Sequence, residues 1–345
     1  MNKVHLPQAG RTVEVEDGLT VLAAALDAGI SYPHGCRSGR CGACKSRLVA
    51  GEVDLLPHTP FALSPPEKEA GLILACRAQP RTDATVAWLD QADEIADLPV
   101  GRFAGEIVSA EDATHDIKRI LVRLERRAEF SFRAGQYARL TIPGAPSRDY
   151  SMASRPDQPL LEFHIRRVPG GAASERIAAT ARPGLGLELD GPLGAAFLRE
   201  KHTGPILGIA GGSGLAPVKA IVETALASGF GQPIHVYFGV RAERDLYMTG
   251  RFAELAEAHA NLRFLPVLSE AGSDDRRGFV TDAVATDLDD LDGWKIYVAG
   301  PSAMIDAAAP ILAARGARTT DIHADVFFTP DAHLTENRST LGAQP

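Results

Sequence analysis

The four cysteines of the chain, Cys36, Cys41, Cys44 and Cys76, are spaced C-x4-C-x2-C with a distant fourth member. Structural zinc usually takes its ligands as two tight pairs, whereas three clustered thiolates with a remote fourth are the spacing that binds a 2Fe-2S cluster. Disulfides are disfavoured, because residues 1–11 lack the apolar core of a secretion signal. The spacing therefore predicts a one-electron 2Fe-2S centre, with zinc as the alternative.

Glycines occupy three positions within the cysteine segment, Gly35, Gly39 and Gly42. Because glycine has no side chain, the backbone can fold close around a small inorganic centre and point its N–H groups at the sulfur atoms. Such hydrogen bonds tune the reduction potential of an iron–sulfur cluster. The glycines therefore favour an iron–sulfur centre over a set of free structural thiols.

A second candidate group, Arg148, Tyr150 and Ser151, lies in the run RDYSMAS. An arginine can clamp a pyrophosphate, a tyrosine can lie flat on a ring system, and a serine hydroxyl can donate to a ring nitrogen. The motif is weak by itself, because a surface turn uses the same residue types. It gains weight from the glycine motifs that follow, and Ser151 is a candidate catalytic residue.

Small residues follow at Gly170 and Gly171, and Ser174 begins a predicted helix. Small residues at a helix N-terminus offer backbone N–H groups and a favourable dipole to an anionic phosphate. Gly191 and Pro192 come next, within the run GPLG. All five positions are candidate cofactor-binding residues.

The last third of the chain contains a glycine-rich turn between a predicted strand, residues 206–210, and a predicted helix. Gly211, Gly212 and Gly214 allow backbone amides and the helix dipole to meet a diphosphate, and Pro217 suits a first helical turn. The G-x-G-x-x-G fingerprint is absent, so the turn is not a standard Rossmann match.

Three patterns of elements follow one another and position these motifs. Residues 1–92 combine short strands with an Ala/Leu-rich helix, which indicates a small α+β unit. Residues 100–200 alternate strands with Pro and Gly, the pattern of an antiparallel barrel or sandwich. Residues 204–330 alternate strand and helix, the pattern of a doubly wound parallel sheet. An acidic linker is predicted at residues 91–99 and a mobile tail at residues 331–345.

Length and charge limit the function. A chain of 345 residues is longer than one hydrophobic core usually organises. Its net charge of −8 argues against a nucleic-acid partner, because phosphate neutralisation needs a basic surface. The sequence has no run of about 18 apolar residues that would predict a membrane span. We therefore expect a multidomain cytoplasmic protein without a nucleic-acid or membrane partner.

Residues 1–92 resemble a plant-type ferredoxin domain, which implies a β-grasp fold. Residues 100–200 resemble the flavin domain of the ferredoxin-NADP reductase superfamily, in which R-x-Y-S-x-x-S, G-G-x-x-S and G-P-x-G recur. The residues that this resemblance assigns to the flavin are Arg148, Gly171 and Ser174 at the phosphates, Tyr150 and Ser151 at the isoalloxazine, and His164 and Arg166 near its pyrimidine edge. For His164 the alternative is a strand residue that faces solvent.

The glycine-rich turn resembles the G-G-x-G-x-A-P turn of the same superfamily. Two later segments also resemble its nucleotide-binding motifs, and they make Arg241, Asp245, Gly300 and Pro301 candidate cofactor-binding residues. Both acidic and arginine side chains follow the second strand, although an acid there suits NADH and an arginine suits a 2′-phosphate. The resemblance favours NADH.

Asp325 and Phe327 resemble the closing segment of these reductases, in which an acid and an aromatic residue approach the flavin. Asp325 is therefore the second candidate catalytic residue. For the aromatic part of this segment, which includes Phe328, the alternative is a final core strand with its usual apolar residues.

The order ferredoxin, FAD and NAD resembles the reductase components of bacterial aromatic-ring-hydroxylating dioxygenases. The resemblance implies that NADH reduces FAD and that a 2Fe-2S cluster passes single electrons to a Rieske-type ferredoxin or a terminal oxygenase component. Two alternatives share this architecture, the reductase of a di-iron monooxygenase and that of a deoxysugar dehydrase. An alternative of another class is a zinc-stabilised interaction protein that binds a nucleotide without turnover.

Overall fold

The computed structural model describes residues 1–89, 98–270 and 278–327. Phe328, the predicted tail and most of the predicted linker lie outside the described residues. Within the described part, the chain forms a mixed sheet, an antiparallel sheet and a parallel sheet in that order. No described helix is both long enough and apolar enough to cross a membrane.

The first unit contains strands β1 (Asn2–Leu6), β2 (Arg11–Val15), β3 (Lys45–Ala50), β4 (Val53–Leu55), β5 (Leu72–Leu74), β6 (Ala78–Pro80) and β7 (Ala84–Trp88), with helices α1 (Val21–Asp27) and α2 (Pro65–Glu69). The main sheet has the order β2-β1-β7-β3-β5, and β4 pairs with β6. Alternation along β1 buries Val4 and Leu6, which belong to the same core as Leu22 of α1. Helix α1 begins where the Thr20 hydroxyl accepts a hydrogen bond from the Ala23 N–H. The segment between α1 and β3 carries three of the cysteines.

The second unit contains strands β8 (Gly101–Asp112), β9 (Ile117–Leu124), β10 (Tyr137–Thr141), β11 (Arg148–Ser151), β12 (Leu161–Arg166) and β13 (Gly186–Leu193), with helix α3 (Ala172–Thr180). Its strands pair antiparallel in the order β11-β10-β13-β8-β9-β12. A bridge between Met152 and Phe163 joins the two ends of the sheet, so the barrel is nearly closed.

The third unit contains strands β14 (Ile206–Gly211), β15 (Ile234–Val240), β16 (Leu262–Leu268), β17 (Lys295–Pro301) and β18 (Ile322–Phe327), with helices α4 (Leu215–Ala227), α5 (Thr249–Ala258), α6 (Val280–Asp287) and α7 (Ser302–Ala314). All its strand pairs are parallel, in the order β16-β15-β14-β17-β18. The order reverses at β14, and ligands of such sheets bind outside the carboxyl ends of the strands at this point.

The predicted fold class is confirmed: a β-grasp unit, an antiparallel barrel and a doubly wound parallel sheet follow one another. Three local differences from the prediction bear on the candidate sites. The RDYS motif forms strand β11 itself, and α3 begins two residues before the predicted Ser174. Strand β13 was not predicted, because it contains Gly191 and Pro192, which usually interrupt a strand.

Candidate cofactor sites

The cysteine loop, residues 28–44 between α1 and β3, and the segment around Cys76 have the hydrogen-bond donors that an iron–sulfur centre needs. The backbone nitrogen of Cys36 lies 3.3 Å from Cys41 Sγ, that of Arg40 lies 3.4 Å from Cys36 Sγ, and that of Cys76 lies 3.4 Å from Cys44 Sγ. All four cysteines are free thiols, and all but Cys36 are buried. Because four convergent thiols with backbone donors are the requirements of a 2Fe-2S cluster, the loop fits that group.

Two glycines of this loop have no room for a side chain. A Cβ atom on Gly35 would lie 3.0 Å from Cys41 Sγ, and one on Gly39 would lie 2.8 Å from Arg77 Cγ. Gly39 also has a φ of +74°, which glycine tolerates best. The hydrogen bond from Cys41 lowers the pKa of the Cys36 thiol to about 5, so Cys36 is a thiolate at neutral pH, the form that binds iron.

A cavity of about 710 Å³ lies where the three units meet. Its volume is within the usual range for small-molecule and cofactor sites. The predicted site residues that line it are Cys36, Arg148, Tyr150, Ser151, His164, Arg166, Gly211, Pro301, Asp325 and Phe327. The structure thus brings motifs from the cysteine loop, the barrel and the parallel sheet to one cavity.

Tyr137 also lines this cavity, although it was not predicted as a site residue. Its hydroxyl donates a hydrogen bond of 3.2 Å to the carbonyl oxygen of Gly35, which joins the barrel to the cysteine loop. Burial raises the pKa of Tyr137 above its ordinary value, so the hydroxyl remains a donor at neutral pH. Tyr137 pairs with Ser151 across β10 and β11. This pairing with a predicted site residue is the signal that could have identified Tyr137. It is known only once the pairing of β10 with β11 is known.

The two candidate catalytic residues contact each other. The Ser151 hydroxyl donates a hydrogen bond of 2.5 Å to Asp325 Oδ2, although 174 positions separate the two residues. Ser151 belongs to the barrel strand β11, and Asp325 belongs to β18 of the parallel sheet. Enclosure by protein raises the pKa of Asp325 to about 6, which the hydrogen bond from Ser151 partly offsets. The pair can therefore hold or release a proton near neutral pH.

His164 is buried in a charged network and does not face solvent. Its Nε2 lies 2.8 Å from Glu162 Oε1 and therefore carries the proton, because a carboxylate only accepts; its Nδ1 lies 3.1 Å from the Tyr247 hydroxyl. Lys219 Nζ reaches Glu162 Oε2 over 3.2 Å and the Ala153 carbonyl over 3.0 Å. Since Lys219 lies on α4, the network joins the barrel to the third unit.

The protonation states of this network follow from burial and charge. Burial lowers the pKa of His164, so the ring is neutral at pH 7. Burial alone would raise the pKa of Glu162, but the hydrogen bond from His164 and the charge of Lys219 bring it below its usual range. Glu162 is therefore an ionised carboxylate with hydrogen-bonded partners on both oxygens.

Arg166 lies at the boundary between the barrel and the glycine-rich turn. Its Nε donates to Asp116 Oδ2 over 2.8 Å, and a Cβ atom on Gly212 would lie 3.3 Å from its Nη1. The guanidinium therefore lies against the turn that follows β14. This position suits an arginine that contacts a phosphate of a bound nucleotide as well as the flavin.

The predicted phosphate turn has a well-defined geometry. The Ser174 hydroxyl accepts a hydrogen bond from the Val168 N–H and donates one to the Gly171 carbonyl, each over 3.1 Å. Gly170 has a φ of +75°, and α3 follows Gly171 directly. The Ser174 side chain therefore shapes the turn, and the first N–H groups of α3 are the donors that suit a phosphate.

Close backbone packing explains the glycines around the nucleotide turn. A Cβ atom on Gly214 would collide with the Ala299 carbonyl, and one on Gly211 would lie 2.7 Å from Met304 Sδ. Gly300 has a φ of +148°, and a Cβ there would lie 2.9 Å from Met304 Cε. The ends of β14 and β17 therefore approach each other closely at this turn, and a side chain at these glycines would separate them.

Some predicted cofactor-binding residues do not line the cavity. They are Gly170, Gly171, Ser174, Gly191, Pro192, Gly212, Gly214, Pro217, Arg241, Asp245 and Gly300. Pro192 lies two positions before Gly194, which does line the cavity. Asp245 is buried, and its Oδ2 accepts a hydrogen bond of 3.0 Å from the Ala242 N–H, so the carboxylate caps the turn after β15.

A single cavity bordered by the cysteine loop, a barrel and a nucleotide-type parallel sheet indicates a nicotinamide-dependent iron–sulfur flavoprotein, which is a class of oxidoreductase. Family models match each unit. The 2Fe-2S iron-sulfur cluster binding domain matches residues 4–81, the oxidoreductase FAD-binding domain matches residues 104–197, and the oxidoreductase NAD-binding domain matches residues 209–309. The predicted 2Fe-2S, FAD and nicotinamide cofactors are confirmed at this level.

Curated relatives match nearly the whole chain. The reductase component of the naphthalene 1,2-dioxygenase system of Pseudomonas putida is 38% identical over 92% of this chain and 96% of its own length. The reductase subunit of an aromatic O-demethylase of Amycolatopsis is 39% identical over the same shares. The reductase component of a phenol 2-monooxygenase of Pseudomonas is 36% identical over 98% of both chains.

Solved structures agree with these relatives. A cytochrome P450 reductase of Amycolatopsis has a TM-score of 0.72 with 37% identity, over 95% of this chain and 99% of its own. The ferredoxin reductase of carbazole 1,9a-dioxygenase has a TM-score of 0.68 with 28% identity, over 95% and 98%. The chain belongs to the family of iron–sulfur flavoprotein reductases that includes the reductase components of these oxygenase systems.

Proposed function

We propose that this protein is an NADH-dependent reductase that passes single electrons to a Rieske-type ferredoxin or directly to the terminal oxygenase of a ring-hydroxylating system. The observation that carries the proposal is the shared cavity, which Cys36, Tyr150 and Pro301 line from the three units. Two relatives, both reductase components of naphthalene 1,2-dioxygenase systems, support this class of acceptor. We assign the three functional units to residues 1–92, 100–200 and 204–330.

When bound, the nicotinamide supplies a hydride, FAD accepts the electron pair, and the 2Fe-2S cluster takes one electron at a time. The chain supplies binding and orientation. Tyr150 offers an aromatic face in the cavity, and Arg148, exposed beside it, suits the flavin phosphates. The backbone N–H groups at the start of α3 and of α4 suit the phosphates of the flavin and of the nucleotide.

Ser151 and Asp325 handle the proton in this proposal. The Ser151 hydroxyl points at Asp325 Oδ2, so its oxygen is oriented by the carboxylate and its other lone pairs are available to a cavity ligand. Because the pKa of Asp325 is about 6, Oδ2 can take up a proton when one is released in the cavity and return it afterwards. The two residues thus act as one proton-holding pair.

The buried network around Glu162 fixes the position of the barrel relative to the parallel sheet, the two units between which the hydride would be transferred. Lys219 extends from α4, directly after the glycine-rich turn, to the barrel strand that carries His164. Hydride transfer requires reacting atoms at near-contact distance, so a fixed angle between the barrel and the parallel sheet favours it. Lys219 and Glu162 are positioning residues.

We propose NADH as the electron donor and the cytoplasm as the location. Asp245 caps a turn, whereas Glu243 is exposed after β15 and is the acid that is free to contact a ribose hydroxyl. Free thiols at all four cysteines suit a reducing compartment.

An anaerobic visible spectrum before and after addition of NADH tests the function. We expect flavin absorbance together with broad iron–sulfur bands, both bleached by NADH, and two equivalents of a one-electron acceptor reduced for each NADH consumed. Purified Rieske ferredoxin, ring-hydroxylating oxygenase and di-iron hydroxylase are then offered as acceptors. A colourless protein, or a yellow protein without iron and acid-labile sulfide, would contradict the proposal.

A further inference from the structure

The corner between β8 and β9 of the barrel reaches the turn that follows β15 in the parallel sheet. Asp116, at this corner, holds Arg166 of the barrel over 2.8 Å and lies 4.0 Å from Arg241 Nη2. Arg241 Nη2 also lies 3.7 Å from Asp245 Oδ1. The Arg241 side chain is therefore placed between two carboxylates, one from each unit.

Asp245 adds an independent observation. It is only 7% exposed, and within the described residues its Oδ1 atom has no hydrogen-bond partner. The groups that face this oxygen are Arg241 and His115, whose Nδ1 lies 3.6 Å away. Of these two groups the guanidinium of Arg241, which is 49% exposed, is the permanent cation.

Arg241 lies where nucleotide-binding sheets of this type recognise the ribose of the nucleotide. Arg241 directly follows the second strand of the βαβ unit, where an acid reads the ribose 2′-hydroxyl of NADH and an arginine accepts the 2′-phosphate of NADPH. An arginine there would favour NADPH if its charge were available. Asp116 and Asp245 both compete with a phosphate for that charge.

We propose that Asp116, a residue of the flavin barrel, determines the nucleotide specificity of the neighbouring unit. Together with Asp245 it holds Arg241 and prevents this arginine from binding a 2′-phosphate, so the site selects NADH. This inference rests on the proposed function and deepens it. Discrimination between the two nucleotides is then assembled only when the barrel and the parallel sheet are docked.

The central variant is Asp116→Asn, which keeps the size of the side chain and removes its charge. The matched control is Asp112→Asn on the same corner, where the carboxylate pairs with Lys118 and, within the described residues, forms no ion pair with Arg241. The first measurement is the ratio of kcat/KM for NADPH to that for NADH with ferricyanide as acceptor. The second is binding of adenosine 2′,5′-bisphosphate relative to 5′-AMP by calorimetry on the oxidised holoenzyme.

We expect Asp116→Asn to raise both ratios about tenfold, the scale of one charge-assisted hydrogen bond. The control should leave both ratios unchanged. Asp116→Asn also releases Arg166. This second effect should change the KM values for NADH and NADPH by the same factor, so it does not alter the ratio of the two kcat/KM values. The double variant Asp116→Asn/Arg241→Gln should return both ratios to the wild-type level, because the phosphate partner is gone.

Three outcomes overturn the inference: unchanged ratios in Asp116→Asn, a gain that survives Arg241→Gln, or a wild-type enzyme that prefers NADPH. The first two leave the proposed reductase function intact if NADH still reduces the flavin. If neither nucleotide reduces the flavin of the wild-type holoenzyme, the proposed function itself fails. The failure of the specificity inference and the failure of the function are therefore distinguishable.

Discussion

The barrel meets the parallel-sheet unit through buried charges, whereas it meets the cysteine loop through a tyrosine hydroxyl. On the first side Lys219 and Glu162 are each 5% exposed and form an ion pair of 3.2 Å. On the second side Tyr137 donates to Gly35. The cysteine loop also packs against the parallel sheet, because Cys41 belongs to the same hydrophobic cluster as residues of that sheet.

The two junctions suit two kinds of transfer. A buried ion pair with hydrogen bonds costs several kcal/mol to break, so it fixes the angle between the units it joins. Hydride transfer needs such fixed contact between donor and acceptor, because a misplacement of about 1 Å greatly lowers the reaction rate. A single electron can cross a gap without contact between the reacting atoms. The stronger junction therefore belongs to the hydride step and the lighter one to the electron step.

The largest effect is expected from Cys41→Ser, which removes one thiolate ligand. Reduction of a protein acceptor by NADH should fall by about 100-fold or more, whereas direct reduction of ferricyanide should change by less than about twofold, because loss of a ligand disables only the cluster. Both rates are measured on the same preparation. Loss of both activities together would show that the cysteine loop also supports the hydride step. The two junctions would then not serve separate transfer steps.

Lys219→Met should weaken the junction with the parallel sheet. The variant leaves Glu162 and Glu223 without their shared cation, and we expect a loss of about 3 kcal/mol in stability and a slower hydride step. The measurements are the temperature of flavin release and stopped-flow reduction of the flavin by NADH. Lys68→Met, on the exposed helix α2, is the control. An unchanged hydride rate in Lys219→Met would remove the positioning role.

Asp325→Asn tests the contact between β11 and β18 by its pH dependence. Burial raises the pKa of Asp325 from 3.8 to about 6, so the folded state favours the neutral carboxyl. The stabilisation is complete below about pH 4 and is lost as the pH rises through about 6. The variant should therefore gain about 2 kcal/mol relative to the wild type between pH 4 and pH 7, after allowance for exposure to the cavity. Denaturant titrations of both proteins at several pH values measure this difference, and a pH-independent difference would refute it.

The smallest effect is expected from Tyr137→Phe at the lighter junction. The variant loses one hydrogen bond, worth about 1 kcal/mol, and keeps the aromatic ring. Electron transfer from flavin to cluster should slow by up to about fivefold, and the hydride step should change less. Stopped-flow traces at flavin and cluster wavelengths separate the two steps. A larger effect on the hydride step would place Tyr137 with the first junction instead.

The cysteine loop, the three units and the glycine-rich turn were predictable, because each depends on spacing within one short segment. Contacts between units were not predictable. Ser151 and Asp325 could each be named from their own motifs, but their hydrogen bond depends on the docking of two sheets. Glu162 and Lys219 escaped prediction because charged residues in a strand and a helix normally indicate solvent exposure, and here both are buried.

Tyr137 was missed for a related reason. A single tyrosine at the start of a strand has no local signature, and its place opposite Ser151 follows only from the pairing of β10 with β11. The role of Asp245 also needed the structure. Its position after the second strand suggests a ribose contact, whereas its hydrogen bond to the Ala242 N–H shows a turn cap.

Gly35 and Cys36 form part of the wall of the cavity that we propose for the flavin. A flavin bound there would cover this side of the cluster site, so its removal would expose the cluster to dissolved oxygen. During dialysis that strips the yellow chromophore, sulfide should begin to leave only after the flavin has gone, and reloading FAD early should preserve the iron content.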